Sequence, residues 1–300
     1  MSVLRPMNSG LAAKIAARKF VVTGELTPPK GTDLSKVFAA AELLRGSVDA
    51  INITESPRAR MTMDSRAVAK LLQDRGIETI VQVTSRDRNR IAVQADLLGA
   101  AALGLENFVF MGGDSTSGGD HPDAKPVFDL TASGLLSAAE ALRNGRDYAG
   151  NGLMGSPKLF LGATCNPGAP RFEAEIENTR RKIDAGARFL QTQAIYHAEP
   201  LKRFIDVLKP DGVAILAGVI PLKSEKSGPW LNANLPGVIV PPDMLEAMKQ
   251  AANAGVARER GIEIAARVVG EMKGICQGVH VMAIGLEALV PEILRNAGVR

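Results

Sequence analysis

Chemistry is first legible in this sequence where an acidic residue ends an apolar run. In KFVVTGELTPPKG, Glu25 follows a stretch of strand character and comes just before a Thr-Pro-Pro-Lys-Gly turn. A buried, unpaired carboxylate is costly, so Glu25 has either a structural partner beneath the loop or a chemical task. Other apolar runs also end in polar residues: Thr54 with Glu55, Gln82 with Thr84, Asp114 in MGGDSTSGGD, Thr164 in ATCNPGAP, Gln193, and the IPLKSEKSG segment. Asp114 sits among Gly112, Gly113, Gly118 and Gly119, where backbone amides can approach a ligand, although a Gly/Asp surface turn has the same composition. The segment is not a P-loop, and GxGxxG is absent after the first strand.

Two further patterns carry alternatives. Glu175, Asn178 and Lys182 fall at i, i+3 and i+7 beside the apolar face Phe172, Ile176, Thr179 and Ile183. This polar stripe could reach a phosphate or ribose, or it could be a solvated face with pairs such as Glu177 with Arg181. His121, His197 and His280 show no HxH, HExxH or His/Cys spacing, so no metal site is expected. His280 reads as a packed histidine. Cys165 lacks a histidine partner and there is no GxSxG, which leaves nucleophilic catalysis unsupported.

The elements that must position these residues alternate. Apolar runs of strand length occur at 20–24, 48–54, 77–83, 107–112, 158–164, 187–193, 213–220 and 279–285, with helical periodicity between them. In RNRIAVQADLLGAAALG the apolar face is read as Ile91, Ala95, Leu98 and Ala102. This alternation predicts an α/β fold, a (β/α)8 TIM barrel forming a single domain over 1–300, with a leading helix in 1–18 and a long helix at 256–272. A doubly wound open sheet is the alternative. In a barrel the strand-end residues converge at the C-terminal mouth, and segment 112–129 reads as a functional loop.

Bulk composition narrows the function. The chain has 300 residues, 46% hydrophobic, with 36 Lys+Arg against 32 Asp+Glu, net +4 and pI near 9.1. The basic residues are scattered and aromatic content is 4%, so nucleic acid is not an expected partner. Two cysteines, no signal-peptide pattern and no membrane-length apolar run point to a reduced, cytoplasmic protein that does not engage a membrane.

Together these motifs resemble the methylenetetrahydrofolate reductases, flavin-dependent barrels of one-carbon metabolism, over the full chain. The signposts are GELTPPKG, INIT, RDRNRIAVQADLLGAAALGLENFVFMGGD, RRKIDAGARFLQTQ, AGVIPL and GVHVMAIG. The resemblance implies reduction of 5,10-methylenetetrahydrofolate to 5-methyltetrahydrofolate by hydride from a bound flavin, FAD or FMN. It implies Glu25 as general acid, Asp114 beside flavin and pterin, and Gln193 against pterin or nicotinamide. It places Thr54, Gln82, Gly113, Asp114, Thr164, Glu175, Asn178, Arg181 and Lys182 around the flavin. The chain departs from the familiar NADH-using bacterial enzymes at Gly112 (Arg there) and Thr164 (aromatic there), and the family's folate-contacting Arg appears as Glu287. It is thereby similar to the short reductases of acetyl-CoA-pathway bacteria, so the electron donor is either NAD(P)H or a protein partner. The pathway is either that one or methionine synthesis, and a homo-oligomer is expected.

The chemistry agrees with this resemblance. The substrate carbon is locked in an aminal ring; proton donation to one nitrogen opens it to an iminium that accepts hydride, which no side chain supplies. Competing expectations are a folate-dependent methyltransferase or demethylase on the same barrel, a flavin-free nicotinamide-dependent reductase, and a non-catalytic folate- or flavin-binding partner subunit.

Overall fold

The computed structural model describes residues 9–300. Eight parallel strands close into a barrel in chain order: β1 (Val21–Leu26), β2 (Ala50–Ile53), β3 (Thr79–Thr84), β4 (Asn107–Met111), β5 (Phe160–Cys165), β6 (Phe189–Ala194), β7 (Ala214–Val219) and β8 (Gly278–Val281). The last strand pairs with the first, Thr23 opposite His280. The (β/α)8 expectation is met and the open sheet is excluded. The last apolar run was read as extending to 285, but β8 stops at Val281; Ile284 and Gly285 take left-handed φ values of 50° and 84° and break the extended backbone.

Strand alternation divides the apolar side chains between two cores. Val22, Ile51, Val81 and Phe108 pack outward against the helices, whereas Val21, Ala50, Ile80, Val109, Phe160, Phe189 and Leu216 fill the barrel. Helix α1 (Gly10–Ala16) inserts Leu11 and Ile15 into that inner core. Its N-terminus is held by Ser9, whose Oγ accepts from Ala12 N, and by Glu78 Oε1, which accepts from Leu11 N at 2.9 Å. The leading-helix expectation is met for 10–16, and residues 1–8 lie outside the described residues. Phe160 and Phe189 stack at 5.2 Å inside the barrel. Gly162 makes room for them, since a Cβ there would lie 2.3 Å from the Phe189 ring.

The outer helices are α2 (Ser35–Leu44), α3 (Ser65–Gln73), α4 (Arg90–Ala102), α5 (Ala132–Arg143), α6 (Phe172–Asp184), α7 (Ala198–Leu208), α8 (Ser227–Asn234), α9 (Pro242–Asn253), α10 (Ala257–Met272) and α11 (Val290–Asn296). The expected long helix is α10. The face read for α4 is corrected: Val93, Leu97 and Ala100 are buried, whereas Ile91 is 75% and Leu98 37% exposed. This alanine-rich helix has apolar residues on both faces, so its period does not select the inner one. Among the described residues no helix is long and apolar enough to cross a membrane.

Candidate functional site

Above the apolar floor the barrel turns polar. Thr23, Asn52, Gln191 and His280 are each at most 3% exposed. Buried polar groups are costly unless paired, and these pair with one another. Asn52 Nδ2 donates to Gln191 Oε1 at 2.7 Å, and Gln191 Nε2 donates to Asn52 Oδ1 at 3.1 Å and to Thr23 Oγ1 at 3.3 Å. Thr23 Oγ1 lies 2.9 Å from His280 Nδ1. Glu25 tops this layer with its side chain 19% exposed; its Oε2 accepts from Gln82 Nε2 at 2.9 Å and lies 3.4 Å from His280 Nε2. Gln82 is therefore a partner of Glu25. His280, read from sequence as packing, is buried as that reading expects and is also a neighbour of that carboxyl. Its signal was positional: it shares strand parity with Thr23 and Glu25.

The loops beyond β2, β3 and β4 interlock. Asp114 is exposed, and its Oδ2 accepts from Arg58 N at 2.7 Å within a turn where Ser56, Arg58 and Ala59 all have positive φ. Arg86 is buried beneath, pairing with Asp87 and donating to Asp114 O and Ser56 O at 3.4 and 3.3 Å. The Asp87 hydrogen bond raises its pKa further above the ordinary arginine value. Gly113 has φ 89°, and a Cβ there would lie 3.0 Å from Thr84 Cβ and 3.2 Å from Arg86 Cβ. Thr84 Oγ1 is buried with no hydrogen-bond partner. Glu55 is committed to structure, accepting from Thr84 N and from Arg88 Nη1 at 2.6 Å. Thr54 Oγ1 donates to Thr27 Oγ1 at 3.2 Å.

On α6 the polar stripe faces the barrel wall. Lys182 is only 6% exposed, and its Nζ donates to Thr164 O at 2.7 Å. Helical side chains lean toward the N-terminus, which carries this ammonium up to the end of β5. Glu175 accepts from Asn166 N at 3.0 Å and Asn178 Nδ2 at 3.1 Å, fastening the loop after β5. Glu177 and Arg181 are both exposed. Gln193 sits at a register shift in β6, and its Oε1 accepts from Ala194 N at 2.9 Å. Glu25 and Gln82 are thus in direct contact. Asp114 belongs to the β2–β4 loop cluster and Lys182, Thr164, Glu175 and Asn178 to the β5–α6 cluster, and neither cluster hydrogen-bonds to Glu25 in this structure.

Two cavities open at the mouth. One, of about 370 Å³, is lined by Glu25, Thr27, Lys36, Ile284 and Glu287 among others. The other, of about 350 Å³, is lined by Lys223, Lys226, Trp230 and Ile284 among others, and Arg58 reaches from the loop after β2 to within 5.5 Å of the Trp230 ring centroid. Sequence reasoning had not singled out Trp230 or Arg58. Among the described residues no His, Cys, Asp and Glu cluster could hold a metal. Burial pushes the Cys165 thiol up to about 12.

A parallel barrel with a carboxyl group, buried amides and cavities at the C-terminal ends of its strands has the layout of the (β/α)8 enzymes. The family model for methylenetetrahydrofolate reductase matches residues 11–298, and the chain belongs to that family. It is 27% identical over 250 residues to a probable methylenetetrahydrofolate reductase (NADPH) of Caenorhabditis elegans, covering 80% of this chain and 35% of that one. It is 22% identical over 237 residues to methylenetetrahydrofolate reductase (NADH) 1 of Zea mays, covering 74% and 38%. The chain thus spans well under half the length of these curated relatives. Among solved structures, a Clostridium thermocellum protein that binds two copies of 5-methyl-5,6,7,8-tetrahydrofolic acid aligns with TM-score 0.66 and 16% identity over 96% of this chain and 98% of that one. EDTA monooxygenase of Chelativorans aligns with TM-score 0.56, 12% identity and coverage of 94% and 95%. At these identities the structural likeness is one of fold.

Proposed function

We propose that this barrel is one catalytic domain that reduces 5,10-methylenetetrahydrofolate to 5-methyltetrahydrofolate, with Glu25 as the proton donor. The observation that carries this reading is the Glu25 carboxyl, anchored through one oxygen at the floor of a mouth cavity. Family membership supports the substrate, as does the methyltetrahydrofolate bound by the Clostridium protein.

The residues present suit a flavin nucleotide. The Thr84 hydroxyl is unpartnered, and the buried Lys182 ammonium has three N–H donors but one carbonyl acceptor. These open groups at the ends of β3 and β5 match a ligand rich in carbonyl and phosphate oxygens. Lys182, Thr84, Thr54 and the Gly113 backbone would hold it, with Asn178 and Arg181 nearer the nucleotide end and Asp114 beside the ring. When bound and reduced, FAD or FMN would supply the hydride, with NAD(P)H or a protein partner as its electron source. The protein's part is to bind and orient the folate and to deliver a proton from Glu25 to an aminal nitrogen.

Anaerobic reoxidation of prereduced protein by methylenetetrahydrofolate tests the assignment. Glu25→Gln keeps the shape but removes the transferable proton, so the rate is expected to fall by about 10² to 10⁴, roughly 3 to 5 kcal/mol of barrier. Loss of thermal stability with an unchanged rate would make Glu25 a structural carboxylate. A colourless, folded protein that still reduces the folate would remove the flavin.

A further inference from the structure

The two carboxyl oxygens of Glu25 have unlike surroundings. Oε2 receives Gln82 Nε2 at 2.9 Å and faces His280 Nε2 at 3.4 Å, whereas Oε1 has no hydrogen-bond partner among the described residues. The proton on the His280 ring is placed from below. Gln191 Nε2 has two hydrogens, one donated to Asn52 Oδ1 at 3.1 Å and the other to Thr23 Oγ1 at 3.3 Å. Thr23 must then place its own hydroxyl proton. His280 Nδ1 at 2.9 Å is a better acceptor position than Val279 O at 3.5 Å. Nδ1 is thus the accepting nitrogen, and the protonated Nε2 is turned toward Glu25.

We propose that His280 is a positioning residue for the acid, its tautomer set by the Asn52–Gln191–Thr23 chain, so that Oε2 acts only as acceptor and the transferable proton resides on Oε1. This rests on the assignment of Glu25 as the proton donor. In the transfer, the Oε1–H bond breaks and an N–H bond forms at one aminal nitrogen. The carbon–nitrogen bond then breaks with its electron pair on that nitrogen, while the lone pair of the other nitrogen forms the iminium. The carboxylate left behind keeps two N–H donors on Oε2 without any side chain having to move. That stabilises the conjugate base and lowers the cost of giving up the proton. The imidazole cannot swing away without leaving the buried Thr23 hydroxyl only Val279 O, at 3.5 Å, as an acceptor.

The test compares His280→Gln, His280→Asn and His280→Leu, with Glu25→Gln as control, in the anaerobic single-turnover reaction of dithionite-reduced holoenzyme with methylenetetrahydrofolate. Gln retains an N–H near the position of Nε2, Asn retains one near Nδ1, and Leu retains neither. Leu and Asn are expected to slow proton-dependent ring opening about 10- to 100-fold, the size of one hydrogen bond to a charged group, and Gln to recover most of the rate. Folate affinity and dithionite reduction are expected to match wild type in all three. Equal slowing in all three, in step with their melting temperatures, would show that the ring merely packs. Unchanged rates in all three beside a slowed Glu25→Gln would overturn the positioning role while leaving the acid in place. A wild-type rate in Glu25→Gln would remove the acid itself, and the proposal with it. A measurement on unmodified protein stands apart from folding of the variants. The chain has three histidines, so ¹⁵N-histidine NMR, with His280→Gln for assignment, reads the ring directly. Nε2–H with a bare Nδ1 is expected, and the opposite tautomer would overturn the proposal.

Discussion

Lys182 offers a sharp separation of structure from function, because a buried ammonium with one partner is a poor way to stabilise a barrel. At 6% exposure its Nζ meets a single carbonyl, Thr164 O. Desolvating an ammonium carries a penalty on the order of several kcal/mol, and one hydrogen bond from a charged group returns only about 1.5 to 3 kcal/mol. Lys182→Met keeps the aliphatic stem, removes the buried charge and leaves the Thr164 carbonyl unpaired, at a cost of about 1 to 3 kcal/mol. These terms largely cancel, so the stability of the ligand-free protein is expected to change by less than about 1 kcal/mol in either direction. If the two open N–H donors serve a bound anionic nucleotide, the same substitution costs one or two charge-assisted hydrogen bonds. Flavin affinity then weakens by about 10- to 100-fold. Urea unfolding of the ligand-free proteins and fluorescence titration with FAD and FMN measure the two effects separately. A loss of several kcal/mol in stability with unchanged flavin affinity would refute this reasoning and make Lys182 a structural strut between α6 and β5.

Other substitutions probe the loops and thiols. Gly113→Ala is expected to destabilise by about 2 to 4 kcal/mol in urea unfolding, combining left-handed backbone strain with crowding against Thr84 and Arg86. Asp120 ties three loops by accepting from Lys30 Nζ and Met61 N, and these bonds, the Lys30 contact foremost, hold its pKa down at about 2. The tie is accordingly expected to persist as pH falls from 7 to 4 and to be lost only as pH drops through about 2. Hydrogen exchange at the Met61 amide measures it, with Asp120→Asn as the loosened reference. Burial pushes the Cys165 thiol up to about 12 and also raises Cys276. At pH 8 a thiol of that pKa is only about one part in 10⁴ thiolate, so a disulfide reagent is expected to leave Cys165 unmodified in native protein and to react with both cysteines in denaturant. Rapid native labelling of Cys165 would reopen a nucleophilic role.

The barrel was legible because eight apolar runs of strand length alternate with helical segments, a pattern that survives errors of a few residues at each boundary. The inner face of α4 was not, since Ile91 and Leu98 lie on an apolar stripe as convincing as that of Val93 and Leu97. In an alanine-rich helix, which stripe turns inward depends on where the flanking strands aim the helix, a tertiary fact without a local sequence signal. Lys182 illustrates the reverse case. From spacing alone its stripe on α6 reads more readily as a solvated face than as a site, and burial of the ammonium against Thr164 O removes the solvated reading at that position.

The partner of Glu25 was hidden by a different limit. His280 lies 255 residues away in sequence, and no spacing rule links the two. Barrel closure does link them. Once β8 pairs with β1 and sets His280 opposite Thr23, the inward parity shared by Thr23 and Glu25 places the imidazole below the carboxyl. The same parity brings Asn52 opposite Glu25 on the other flank and carries Gln191 across the barrel to meet it. Registers of this kind follow from shear and closure, so strand-end residues can be listed from sequence, whereas the polar layer that supports them emerges only when the last strand meets the first. In this protein that layer is what makes the two oxygens of the Glu25 carboxyl distinguishable, one anchored and one without a hydrogen-bond partner among the described residues, and the proposed place of its proton rests on that asymmetry.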